Sequence, residues 1–132
     1  MLRRRRRGVG IIDTKKGILV VAMENKVFTF PGGGANRWES RKKATIREIK
    51  EETSLDVKSI KFLFKHKGVY YTDRRGRNTR NYTKVFLVET TGKLKIANEI
   101  KYSGYWKPGS KIPISPGTKI MIDKYLAMKK ST

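Results

Sequence analysis

Residues 31–55 read PGGGANRWESRKKATIREIKEETSL, and this stretch decides the fold. Pro31 ends whatever precedes it, and Gly32, Gly33 and Gly34 read as a turn where the backbone can approach a metal or a phosphate closely. Ser40 is a fitting N-cap, and residues 41–53 are mostly good helix formers with Ala44, Ile46 and Ile49 as apolar contacts, so the spacing predicts one helix there. On that helix Glu48 lies three residues before Glu51 and four before Glu52, so the three carboxylates project from neighbouring positions. Like charges at that spacing repel unless a cation neutralises them, and an oxygen-rich carboxylate set suits Mg²⁺ or Mn²⁺. Arg47, four residues before Glu51, is placed to orient that side chain. The plainer alternative is a solvated helix face with an Arg47–Glu51 pair.

Charge sharpens the contrast. The chain carries 32 Lys and Arg against 11 Asp and Glu, a net charge of +21. Such a surface favours phosphate-rich partners. Of the seven Glu, four (Glu39, Glu48, Glu51 and Glu52) lie within fourteen residues, where a cationic protein gains from carboxylates only if they hold something more cationic still.

Spaced as Gly33, five residues, Glu39, seven residues, then Arg47-Glu48-Ile49-Lys50-Glu51-Glu52-Thr53-Ser54-Leu55, the segment resembles the Nudix box, G-x5-E-x7-R-E-U-x-E-E-x-G-U with U aliphatic. Eight of the nine specified positions agree. Ser54 stands where the box has glycine, a position expected to need a left-handed cap, so glycine there should be up to about 1 kcal/mol better. Asn36, Arg37 and Trp38 occupy the stretch where many relatives carry an acid, a variable residue and a glycine. Trp38 is expected to pack over the helix rather than stack on a substrate.

The resemblance implies Mg²⁺- or Mn²⁺-dependent hydrolysis of a nucleoside diphosphate linked to another group X. It also implies metal ligation by Glu48 and Glu52, with Glu51 close behind, Glu39 supporting them and the backbone around Gly33 completing the set. Arg47, Glu51, Glu52 and Glu99 are the catalytic candidates. The general base varies across the family and often comes from a loop outside the box; Glu99, ahead of Tyr105 and Trp106, leads, and Glu89 is second.

Outward from the box, residues 8–12 and 18–22 around the turn signal at 13–17 read as a β-hairpin, and 26–30 as a short strand. Strands are expected at 57–64, 67–71, 82–89 and 101–107, a basic loop at 72–80, and a closing helix at 117–128 showing Ile120, Ile122, Tyr125 and Leu126. A mixed sheet, one helix after a Gly-rich loop and one C-terminal helix make an α/β/α sandwich with helices on both faces, and at 132 residues a single domain is expected. No apolar run approaches a membrane span and no secretory signal pattern is present, so a soluble cytoplasmic protein, monomeric or homodimeric and without a membrane partner, is expected. With no cysteine, disulfides and thiolate metal sites are excluded.

Tyr70, Tyr71 and Tyr82 accompany Arg74, Arg75, Arg77 and Arg80, a mixture that can stack bases and hold phosphates; Tyr70, Tyr71, Arg75, Arg77 and Tyr82 are the substrate-binding candidates. Arg3 to Arg7 form a basic arm, residues 1–7, that either follows an RNA backbone or is disordered. His66, the one histidine, rules out a histidine metal cluster or a serine triad but could touch substrate. Three readings follow: hydrolysis of a small nucleotide, which is favoured; the same chemistry on a 5′ RNA end; and a non-catalytic RNA- or ribosome-binding module.

Overall fold

A computed structural model describes residues 2–131. The elements are β1 (Leu2–Ile11), β2 (Asp13–Thr14), β3 (Gly17–Ala22), β4 (Gly32–Gly34), α1 (Arg41–Thr53), β5 (Asp56–Lys67), β6 (Tyr71–Thr72), β7 (Asn78–Thr91), β8 (Tyr102–Trp106) and α2 (Pro116–Lys130). A mixed sheet runs β4-β1-β7-β5 with β6 beside β7, and a second, antiparallel sheet runs β2-β3-β8.

β1 organises the molecule. It pairs parallel to β7 from Leu2 opposite Asn78 to Ile11 opposite Leu87, and antiparallel to β4. Alternation along a strand sends successive side chains to opposite faces. Val9 and Ile11 therefore join Val85, Phe30, Trp106 and the α2 residues Met121, Ile122 and Tyr125 in one core. Gly8 and Gly10 turn to the other face, where a side chain on Gly8 would strike the Arg41 carbonyl and the Thr45 hydroxyl. α1 packs on that face through Ala44, Thr45 and Ile49, with Leu19, Phe86 and Val88 completing a second core. The sandwich with a helix on each side of a mixed sheet is thus as expected, with β-structure divided between two sheets.

α1 begins as read, while α2 begins one residue before the expected 117 and runs on to Lys130. The Ser40 hydroxyl accepts from the Lys43 amide, α1 spans Arg41–Thr53, and Ser115 caps α2 in the same way ahead of Pro116. Ile120, however, is exposed.

Several local expectations are corrected. The arginine run is no arm: Arg3 to Arg7 lie within β1, paired along their length with β7. Repulsion among five consecutive arginines is relieved by alternation and by separate partners. Arg4 sits over the Tyr82 ring, the Arg6 guanidinium donates to the Glu39 carbonyl, and Arg3 approaches Asp73 at 3.9 Å. The hairpin survives only as the β2–β3 turn, because residues 8–11 pair with β7 and β4 instead. Residues 26–30 form two isolated bridges rather than a strand, whereas the three glycines expected as a turn form β4. The strands expected at 57–64 and 67–71 become β5 and the short β6; register shifts in β5 at 57–59 and 62–64 break its alternation.

Ser54 adopts the left-handed conformation, φ 65°, and its amide donates to the Lys50 carbonyl. Its hydroxyl also donates to the Lys95 carbonyl at 2.8 Å. That bond alters the expected gain from glycine: relief of about 1 kcal/mol of left-handed strain is offset by loss of a hydrogen bond worth about 1 kcal/mol. Ser54→Gly should therefore leave the denaturant midpoint nearly unchanged, while Ser54→Ala, which keeps the strain and loses the bond, lowers stability by about 1 kcal/mol. Equal midpoints for wild type and Ser54→Ala would show that the hydroxyl contributes nothing.

Candidate active site

β4 lies at the sheet edge beside β1, where its glycines bring the backbone against the α1 carboxylates. A side chain at Gly33 would collide with the Glu48 carboxylate, and one at Gly32 (φ 150°) with the Gly8 carbonyl. The Gly32 amide donates to Glu52 Oε1 at 2.9 Å. Gly32, Gly33, Glu48 and Glu52 line a cleft of about 800 Å³, with Arg5, Arg7, Tyr71, Asn81 and Glu99 on its other walls. A side cavity of about 190 Å³ shares Arg7, Tyr71 and Asn81 with it and is bounded by His66, Thr83 and Thr118.

Three of the four box carboxylates share Arg47, and of these only Glu48 also lines the cleft, beside Glu52. Glu39 and Glu51 turn to Arg47: its Nε and Nη2 donate to Glu39 at 2.9 Å each, and Nη1 to Glu51 at 3.2 Å. The same guanidinium reaches Glu48 at 2.9 Å and the Gly34 carbonyl at 3.1 Å. This grip, with the Asn36 amide, holds the Glu39 carboxyl well below the usual range, at about 2. Glu52 behaves oppositely. Burial pushes its carboxyl up to about 7, and the neighbouring charges of Glu48 and Glu51 add to the rise against the Gly32 amide and Arg7.

A carboxylate pair facing one cleft, one member of it reluctant to ionise, would be stabilised in its charged form by a bound cation. Among the described residues no three acidic or histidine side chains encircle an ion. The donor set fits a small hard cation nonetheless, since Mg²⁺ commonly takes one or two carboxylates and fills its remaining positions with water and substrate phosphate. Glu48 and Glu52 would hold it.

Glu99 reaches the cleft because its loop is tied to the end of α1. The Ala97 amide donates to the Glu52 carbonyl at 3.0 Å, Asn98 Nδ2 to the Glu51 carbonyl at 3.0 Å, and the Lys101 amide to the Ala22 carbonyl at 2.9 Å. Glu89 is exposed on β7 and lines no part of the cleft.

Of the substrate-binding candidates, Tyr71 lines the cleft, with its hydroxyl donating to Asn81 at 2.9 Å. Arg75 and Arg77 border an adjoining groove. Tyr70 and Tyr82 do not join them. Tyr70 lies under the Arg80 guanidinium, and Tyr82 pairs in register with Arg6 on the α1 side of the sheet, beneath Arg4 and Lys67. Trp38 does not pack over the helix: it is 90% exposed at φ 69°, with Arg37 against its ring. That left-handed backbone is one that glycine adopts without steric cost.

Arg5 and Arg7 were not among the candidates. Burial and the neighbouring Arg5 lower the proton affinity of Arg7, and its Nε is buried with no hydrogen-bond partner. A desolvated guanidinium edging the carboxylate cleft is a position for an anion. The signal lay in the arginine run itself, legible once the run is read as a strand with odd residues on one face.

Arg47→Lys should retain the fold but lose the forked grip on Glu39, reducing any turnover at this cleft by about 10- to 100-fold. Undiminished kcat/KM would show that Arg47 does not set the carboxylates.

Comparison with known proteins agrees with this geometry. A family model described as NUDIX domain matches residues 2–122. An ADP-ribose pyrophosphatase of Methanocaldococcus jannaschii is 31% identical over 102 residues, 74% of this chain and 58% of that protein. A Bacillus subtilis protein assigned as an 8-oxo-dGTP diphosphatase is 41% identical over 49 residues, 37% of this chain and 31% of the other. The chain thus spans less than two thirds of the length of either relative. A crystal structure from Chromobacterium violaceum, assigned to the nudix hydrolase family, superposes with a TM-score of 0.78 at 32% identity, covering 95% of this chain and 78% of that one.

Proposed function

Because the chain belongs to the NUDIX family, matched over residues 2–122, we propose that it hydrolyses the diphosphate linkage of a nucleoside diphosphate derivative with Mg²⁺ or Mn²⁺ as its ion. The observation that carries this reading is the convergence of Glu48, Glu52 and Glu99 with Arg5 and Arg7 on one cleft. Anionic and cationic walls facing each other suit a metal-bound diphosphate, whose charge the carboxylates alone would repel.

Glu48 and Glu52 would hold the ion, which when bound supplies charge neutralisation and an acidified water. Arg7 and Arg5 bind the phosphates from the opposite wall. Arg47 fixes Glu48 and Glu51 and keeps Glu39 ionised beside the site. Glu99, which lines the same cleft from a separate loop, would accept the proton of the attacking water. The water oxygen bonds to one phosphorus as the bridging oxygen leaves, releasing a mononucleotide and a phosphorylated X.

The test is a panel including ADP-ribose, 8-oxo-dGTP and 5′-triphosphorylated RNA, assayed with Mg²⁺ and with Mn²⁺. Metal-dependent release of a mononucleotide, or of pyrophosphate from a triphosphate, supports the proposal. Absence of product from every member would replace it with a binding module that has kept the fold.

A further inference from the structure

The cleft does not end at the carboxylates. Arg5, Met23 and Tyr71 are shared with a second groove lined also by Arg3, Thr72, Asp73, Arg74, Arg75 and Arg77, and Arg3 and Arg77 continue into a third with Asn78. Strand alternation sets Arg3, Arg5 and Arg7 in line, roughly 6.6 Å apart, on the same face of β1. Asp73 is the acid along this path. Its carboxylate is engaged by the amides of Arg75 and Arg77 and by the Arg77 side chain, which fixes the turn that carries Arg74 and Arg75. Among the described residues, Arg5, Arg7, Arg74 and Arg75 have no carboxylate within ion-pair distance. A row of unpaired guanidiniums costs electrostatic free energy unless an anion of matching length lies along it.

We propose that this trough is an exosite for single-stranded nucleic acid, which lies along Arg3, Arg5, Arg74 and Arg75 by its phosphodiester backbone and directs its end toward the carboxylate cleft. A single line of cations matches one backbone, whereas a duplex presents two separated by a groove. Tyr71, at the junction of groove and cleft, offers a ring on which a base can stack. Only the position of the strand's end rests on the proposed hydrolytic site; the binding does not.

The molecule contains its own control. Arg4, Lys67 and Lys84 lie on the opposite, α1 side of the sheet, where Arg4 and Lys67 flank Tyr82 and Lys84 lies over Phe62. Anisotropy of a 3′-labelled oligouridylate of about a dozen nucleotides, titrated in EDTA across a range of KCl, compares two triple variants of equal charge change. Arg3→Gln/Arg5→Gln/Arg75→Gln should weaken binding and reduce the log–log salt slope by about two units, at about 0.7 per contact, while Arg4→Gln/Lys67→Gln/Lys84→Gln leaves the slope nearly intact. Arg74→Gln/Arg75→Gln, confined to the turn, should reduce the slope by about 1.4 units without altering β1. An unchanged slope in the trough variants, an equal loss in the α1-side variant, or tighter binding of a blunt duplex would overturn the exosite. Because the titration contains no metal and reads no product, a failure to hydrolyse any substrate leaves its outcome unaffected.

Discussion

Glu52→Gln is expected to reduce metal-dependent turnover by roughly 10³-fold or more while the protein stays folded. The carboxamide preserves the volume of the side chain and can still accept the Gly32 amide, but it removes the charge a hard cation requires. The same substitution reads the electrostatics of the metal-free site. In the folded chain the Glu52 carboxyl is raised to about 7 from 4.5, so the native state binds its proton more tightly than the unfolded state does. Stability from this group is fully present below about pH 4.5, falls as pH rises through 7, and its loss reaches about 2 to 3 kcal/mol in alkali. Without metal, Glu52→Gln should therefore raise Tm at pH 8 and change it little at pH 4. Saturating Mg²⁺ should narrow the difference by stabilising wild type. Turnover equal to wild type would sink the catalytic assignment; equal Tm gains at both pH values would sink the electrostatic one.

Gly8→Ala is expected to be strongly destabilising. Its new carbon would meet the Arg41 carbonyl and the Thr45 hydroxyl where β1 crosses the first turn of α1. Thr45 is fully buried and its hydroxyl already donates to that same carbonyl, so neither group can swing aside. Separating strand and helix costs about 3 kcal/mol or more, roughly 10 °C in Tm. Gly117→Ala is the comparison: a carbon there meets nothing within 4 Å, and alanine in the first turn of α2 should be neutral or slightly stabilising. Thermal unfolding of the pair decides it, and similar Tm values would mean that β1 and α1 are not closely packed at Gly8.

What could be read from the residues was what short-range physics governs. α1 begins and ends where its cap and composition place it, since Ser40 and the Lys43 amide are three residues apart and helix hydrogen bonds reach four. The spacing that sets Glu48 beside Glu51 and Glu52 is a property of any helix, and so is the Arg47–Glu51 contact. Spacing did not reveal that Arg47 also grips Glu39, eight residues back in a loop, or that Glu48 and Glu52 face the cleft. The Glu99 wall likewise depends on hydrogen bonds from residues 97 and 98 to the last turn of α1.

The arginine run marks the boundary between the two kinds of information. Its composition opposes strand formation, and its charge suggested a free arm. Pairing with β7, more than seventy residues away, turns it into the central strand, and the pleat then sorts Arg3, Arg5 and Arg7 to the cleft and Arg4 and Arg6 to the α1 side. Thus the sequence by itself determined the helices, the carboxylate spacing and the excess of cations, each set by neighbours along the chain. Only the tertiary structure decided which carboxylates share a cleft and which arginines face them, because a strand's partner, register and buried face arise from contacts between distant segments.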